Sequence, residues 1–335
     1  MQTSLFDEDL TQVGAAPRDA AQVALAERLP RSLRLGTSSW NFPGWAGLVW
    51  DQDYPEATVS RYGLSAYAQH PLFRAVSLDR NFYRPLSAEQ YAAYASQVPE
   101  DFRFLVKAPR FVSDAVLRVE GGRVGQANPD FLSPTRSTRD FVQPALEGLG
   151  NRLGALVFQL SPLVAPVAQQ SDELFQRLRR MLAALPDLRS IAPDAVVAVE
   201  VRNPELLTIA LSDVLREYGA TLCLGLHAKM PPIAEQLPLL RALWPGPLVC
   251  RWNLNRRHGA YGYEAAGDRY SPYNQLVDPD LETRVTLARV IAGTTGAGQN
   301  AFVTISNKAE GSAPLSVAAL AREVDGLHNP SHGNQ

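Results

Sequence analysis

Cysteine is nearly absent from this chain of 335 residues: there are two, Cys223 and Cys250, both inside apolar runs. That excludes a disulfide framework and predicts two buried free thiols, as expected of a reducing compartment. Histidine is scarce as well, five in all, with His328 and His332 near the C-terminal end and His70 closing a helical pattern. Barrels that carry zinc clusters need many His, Asp and Glu at strand ends, so a multi-zinc site is excluded. No apolar run reaches the length of a membrane helix, and no membrane partner is expected. The opening MQTSLFDEDL has neither the basic nor the apolar part of a signal peptide, which predicts a cytoplasmic protein. A net charge of -2 gives no general pull towards nucleic acid or anionic lipid. Neither a G-x-G-x-x-G fingerprint nor a Walker loop is found, so nucleotide-binding folds lose support.

What the chain does have is a hydrophobic fraction of 46%, enough for one large core. From Leu33 onwards strand patterns alternate with helical ones. Strands are predicted at 33–39, 74–79, 102–110, 153–160, 194–202, 221–226, 247–253 and 301–307. Helices are predicted near 57–69, 87–98, 138–149, 171–184, 204–218, 233–243 and 279–292, with a last one from Pro314. Two long connections, 111–138 and 254–278, read as functional loops. Eight strand–helix units with short turns at one end and long loops at the other define an α/β fold, a single (β/α)8 TIM-barrel-like domain. A doubly wound sheet is the alternative. The boundaries are a flexible extension over 1–31, with a short helix in AAPRDAAQVALAERLP, the barrel over 32–326, and a disordered tail over 327–335.

The most informative stretch is DAVVAVEVRNPEL, residues 194–206. Side chains alternate faces along a strand, so Val196, Ala198, Glu200 and Arg202 share one face and Val197, Val199 and Val201 the other. A carboxylate and a guanidinium thus close an otherwise apolar row, at the strand end where α/β folds place their sites. The same reading puts Asp79 and Asn81, Lys107 and Arg110, Gln159, His227, Arg251 and Asn253, and Asn307 and Lys308 at the barrel mouth. In the seventh strand Val249, Arg251 and Asn253 share a face. In the eighth, Val303, Ile305 and Asn307 are expected to do so.

The cations Lys107, Arg110, Arg202, Arg251 and Lys308 outnumber Glu200 and Asp79, which predicts a small anionic substrate such as a phosphate or carboxylate. Gly311-Ser312-Ala313-Pro314 reads as a loop entering a helix, where Ser312 either caps the helix or helps free N–H groups hold a phosphate. Glu200 is the first choice for general acid or base. Lys107 would polarise a carbonyl or act as an amine nucleophile, and Tyr83 and His227 would carry protons. Gln159, Asp79, Asn253, Asn307 and Trp40 complete the expected binding set. No cofactor is predicted, with room for a single Mg ion bound together with substrate. Loop aromatics, Trp45, Trp50, Phe82, Tyr261, Tyr263, Tyr270 and Tyr273 among them, either stack a sugar or base or pack the loops.

Six ordered segments, GTSSWNFPGW (36–45), NFYRP (81–85), FRFLVKAPR (102–110), LGALVFQLSP (153–162), AVEVRNPEL (198–206) and SNKAEGSAPLSVAAL (306–320), resemble the YecE-like family, domain of unknown function 72. The resemblance spans residues 33–325 and implies a TIM-barrel-type fold and no defined activity. Ser77 and Asp79 stand where members often carry a V-E-x-N-x-x-F-Y pattern, and His227 where many have aspartate. Glu200 is thereby left as the main acidic group.

Three functions are compatible with these residues: an isomerase, lyase or hydrolase acting on a small anionic sugar-like substrate; a nucleic-acid-linked protein; and a ligand-binding barrel without catalysis. The second gains from Gln2-Thr3-Ser4-Leu5-Phe6, which fits Q-x-[SD]-L-F and resembles the peptide that docks bacterial replication and repair proteins on the sliding clamp. There Leu5 and Phe6 would enter an apolar pocket while Gln2 bonds at its edge.

Overall fold

The structure is a computed structural model that describes residues 12–118, 124–163 and 171–329. Among the described residues the strands are β1 (Leu33–Thr37), β2 (Ala75–Leu78), β3 (Arg103–Lys107), β4 (Val116–Arg118), β5 (Val124–Ala127), β6 (Leu153–Gln159), β7 (Val196–Glu200), β8 (Thr221–Leu226), β9 (Leu248–Trp252) and β10 (Ala301–Ile305). Eight of them close an all-parallel barrel in the order β1-β10-β9-β8-β7-β6-β3-β2, ringed by helices. The expected barrel is what forms, and the doubly wound alternative is set aside.

The barrel interior is filled rather than open. Ala75, Leu105, Ala155, Val157, Val196, Ala198, Cys223, Val249 and Phe302 make a dry inner cluster, separate from the larger core between strands and helices. Phe302 is the bulkiest member of this cluster, and its ring fills much of the barrel interior. A Cβ on Gly154 would meet that ring at 2.9 Å, so only glycine fits opposite it. Below this plug an ion cluster closes the amino ends of the strands. Asp194 accepts from Arg103 at 2.7 Å and from Asn300 at 3.2 Å, with Arg34 at 3.8 Å. Polar chemistry is left to the carboxyl ends.

Four expectations need correction. The last barrel strand is one residue out of phase with the expected parity. Val303 and Ile305 face the helices, Phe302 faces the interior, and the strand ends at Ile305. Ser306 then caps a one-turn helix, Asn307–Glu310, so parity does not extend to Asn307. The connection after β3 contains the antiparallel β4–β5 hairpin, and the one after β9 contains a helix, Tyr263–Tyr270. The predicted helix 57–69 is two short ones, Glu56–Tyr62 and Leu64–Tyr67, meeting at Gly63. Within the described part of the 1–31 extension the chain is packed rather than flexible. Val13, Leu25 and Leu29 are buried, and Arg28 of the Ala20–Arg28 helix pairs with Asp325 at 2.7 Å. Gln2, Leu5 and Phe6 lie outside the described residues, as do residues 330–335 of the tail.

A candidate anion-binding mouth at the carboxyl ends of the strands

The apolar row of β7 delivers Glu200 to the top of the interior, as the alternation requires. None of its surface is exposed. Its Oε1 meets Arg202 at 2.6 Å and its Oε2 meets Arg251 at 2.9 Å, while Asn253 Nδ2 approaches Oε1 at 3.5 Å. Gly225 in β8 makes room for it. A Cβ there would lie 3.1 Å from both Cγ and Oε1 of Glu200. Gln159, at the end of β6, offers its Oε1 to Arg202 at 2.9 Å and to Arg251 at 3.0 Å. Arg251 continues to Asp79, whose Oδ2 accepts from it at 2.7 Å and whose Oδ1 accepts from Ser77 at 2.7 Å. One connected network therefore crosses the barrel from β2 to β9.

The electrostatics revise the role of Glu200. Burial pushes its pKa up, but Arg202 and Arg251 beside it push harder the other way, and the net shift is downward. Glu200 is an ionised anchor for two guanidiniums, with its oxygens occupied, and not a base poised near neutrality. Arg251, also buried, is raised by Asp79 and Glu200 against desolvation and stays charged. A Mg ion at Glu200 would have to displace a guanidinium. Among the described residues no three His, Cys, Asp or Glu side chains gather as a metal ion would need.

Lys107 is different. It ends the interior row of β3, largely buried, with Nζ 3.7 Å from the centroid of the Phe82 ring. None of the described carboxylates lies within ion-pair distance of it. Desolvation is the main cause of a pKa lowered to about 8, with Asp79 opposing and Arg251 assisting. His227, one residue beyond β8, accepts a hydrogen bond from the backbone N–H of Lys229 at Nδ1, 3.1 Å. Its proton must therefore sit on Nε2, which meets no partner among the described residues. Burial and nearby Arg202 lower its pKa to about 4. The ring is a neutral hydrogen-bond donor at physiological pH.

Two aromatics complete the mouth. Tyr263 lies 5.2 Å from the His227 ring and carries Lys308 Nζ 5.2 Å from its own centroid; burial pushes its phenol pKa up, with the Arg202 guanidinium opposing. Phe82 carries Lys107. The sequence reading had both only among the loop aromatics. The signal available for Tyr263 was the helical pattern after Gly262.

Other expected site residues do not join the network. Asn307 Oδ1 accepts from Trp45 Nε1 at 3.2 Å and from the N–H of Ala313 at 2.8 Å, so it fastens the start of the Ala313–His328 helix. Ser312 is fully buried beside that start and makes no capping hydrogen bond, so it neither caps the helix nor presents its hydroxyl at the surface of the mouth. Trp40 packs edge-on against Tyr94 with the Arg80 guanidinium over it, towards the helix layer. Tyr83 is 77% exposed and touches Phe82. Arg110 begins the short Arg110–Ser113 helix, and Asn81 donates to the backbone oxygen of Lys107 at 2.7 Å.

A closed parallel barrel ringed by helices defines a TIM-barrel-type protein, and the ionic network lies at the carboxyl ends of the strands, where such barrels place their sites. The chain belongs to the family described as a protein of unknown function, DUF72, which it matches over residues 34–334. It is similar in structure to a DUF72 family protein from Enterococcus faecalis, with 17% identity over 88% of this chain and 95% of that one and a TM-score of 0.58. A DUF72 family protein from Thermotoga maritima also matches, with 17% identity, 88% and 98% coverage and a TM-score of 0.53. At such identity the likeness concerns the fold. No curated protein matches the sequence.

Proposed function

We propose that this protein is an enzyme whose barrel mouth takes a small anionic substrate and acts on it by proton transfer at amine and imidazole groups. The observation that carries the reading is the charge arrangement. Lys107, Arg202 and Arg251 face two carboxylates, Glu200 and Asp79, which the two guanidiniums already engage. The surplus positive charge falls on Lys107. A phosphate or carboxylate would supply the missing anion, with Arg202, Asn253 and the Nε2–H of His227 as further donors. Glu200, first choice from sequence, holds the guanidiniums in place, and Lys107 and His227 take over the reacting roles.

The test is ligand-dependent thermal stability. Inorganic phosphate and small sugar phosphates at millimolar concentration should raise the melting temperature of the wild type. They should raise that of Lys107→Met and Arg202→Gln much less. Equal shifts in all three proteins, or none in the wild type, would refute an anion site at this mouth.

A further inference from the structure

Lysine is used very sparingly in this chain. Of 32 basic residues 29 are arginine, and the three lysines are Lys107, Lys229 and Lys308. All three stand at the carboxyl end of the barrel, after β3, β8 and β10. Each places Nζ against an aromatic ring: Lys107 over Phe82 at 3.7 Å, Lys229 over Tyr261 at 4.1 Å, Lys308 over Tyr263 at 5.2 Å. Arginine binds anions at least as well as lysine does, and usually better where the anion is planar. A chain that meets nearly every other need for a cation with arginine gains nothing in anion capture from Lys107. What lysine alone offers is an amine that can lose its proton and attack an electrophile.

Of the three, Lys107 is the one that ends an interior row of the barrel beside the ionic network, with no ion pair to any of the described carboxylates. Burial favours the neutral amine, and Arg251 and Arg202 assist against the opposing pull of Asp79 and Glu200, whose oxygens the two arginines already engage. The ring of Phe82 shields Nζ from water on one side.

We propose that Lys107 forms a covalent imine with a small carbonyl compound that also bears a phosphate or carboxylate. The neutral amine attacks the carbonyl carbon and gives a carbinolamine. The carbinolamine hydroxyl then leaves as water with one proton taken from solvent, and the nitrogen ends as a protonated C=N+ linkage. No oxidant or reductant enters. The anionic group of the compound lies towards Arg202, so that both ends of the molecule are held. This proposal rests on the anion-binding reading above and names its substrate class.

Borohydride reduction of the imine tests it. Pyruvate and dihydroxyacetone phosphate, each incubated with the full-length protein at pH 8 and reduced with sodium borohydride, should leave one adduct, on the peptide that carries Lys107. Dihydroxyacetone, which lacks the anion, should label at least tenfold less. Lys229 and Lys308 serve as internal controls in the same digest. The adduct should vanish in Lys107→Met and in Lys107→Arg, whose folding is checked by melting temperature. Adducts spread evenly over the three lysines, or none at Lys107, overturn the proposal. If phosphate still stabilises the wild type while no adduct forms, the imine fails and the anion site stands. If phosphate has no effect either, both readings fail.

Discussion

Replacing Glu200 with glutamine separates an anchor from a catalytic base. The carboxylate is fully buried and bonded to Arg202 at 2.6 Å and Arg251 at 2.9 Å. Removing one member of a buried ion pair costs about 3–5 kcal/mol, because the partner charge stays buried without compensation. Glutamine keeps the shape and one acceptor oxygen, which favours the lower end, about 3 kcal/mol. In a chain of this length each kcal/mol lowers the melting temperature by roughly 1.5 °C, so a fall of about 4–5 °C is expected at pH 7. The effect has a definite pH sign. The folded pKa of Glu200 lies below its unfolded value of about 4.3, so its stabilisation is complete above that value. As the pH drops, the unfolded chain takes up the proton first, and the stabilisation is lost through the folded pKa. Glutamine has no such proton. The gap between wild type and variant should therefore be widest above about pH 5 and close in acid. Circular-dichroism melts of both proteins from pH 3 to pH 8 give the answer. A variant within about 2 °C of wild type at pH 7, or a gap that persists unchanged in acid, would refute the anchor.

Gly225→Ala sets a methyl 3.1 Å from the Glu200 side chain and should destabilise by about 1–3 kcal/mol, read from urea unfolding, while alanine placed at exposed Gly47 would not probe this contact. His227 should stay neutral, with its proton on Nε2, from pH 8 down to about pH 5 and titrate with a midpoint near 4 by nitrogen NMR. A midpoint of 6 or above would show that burial and Arg202 do not control it. Because the unfolded histidine protonates near pH 6.5, this residue withdraws stability as the pH falls below that value. Cys223, 4.0 Å from Glu200, and Cys250, on the outward face of β9, are both buried with their thiol pKa pushed up by desolvation. Both should resist a disulfide reagent in the native protein and react together only on unfolding, so a fast phase without denaturant would contradict their burial.

The barrel was legible because eight apolar runs alternate with helical patterns, and β3, β6, β7 and β9 among them carry a charged or amide residue near the carboxyl end. The parity of β7 and β9 led directly to Glu200, Arg202, Arg251 and Asn253, since a buried row tolerates no slip. Parity failed in β10 for a local reason: Val303 and Ile305 are as apolar as Phe302, and only the bulk of Phe302 filling the barrel marks the inner face. The pairing of charges was less accessible. Sequence supplied Glu200 as the sole acid in its strand, but the arrival of Arg251 from two strands away, which removes its basicity, is a property of closure. Asn307 and Ser312 misled because a loop running into a helix looks alike whether it opens to a ligand or is plugged by a side chain from its own turn. Tyr263 was hidden in a stretch whose glycines masked a helix.

The network that joins Arg251 to Asp79 and Gln159 also ties together two halves of the chain. Four barrel strands, β1, β2, β3 and β6, precede residue 163, and four, β7 to β10, follow residue 171. Asp79 and Gln159 come from the first set, and Glu200, Arg202 and Arg251 from the second. Were the chain divided between β6 and β7, the first fragment would keep acceptors without their donors. The second would keep two guanidiniums sharing one carboxylate. The second piece does not neutralise its own inner polar layer, so it depends on the first for more than apolar cover. Two-piece reassembly should accordingly be all-or-none, and the amine of Lys107 should acquire its unusual acidity only when the complementary half has closed over it.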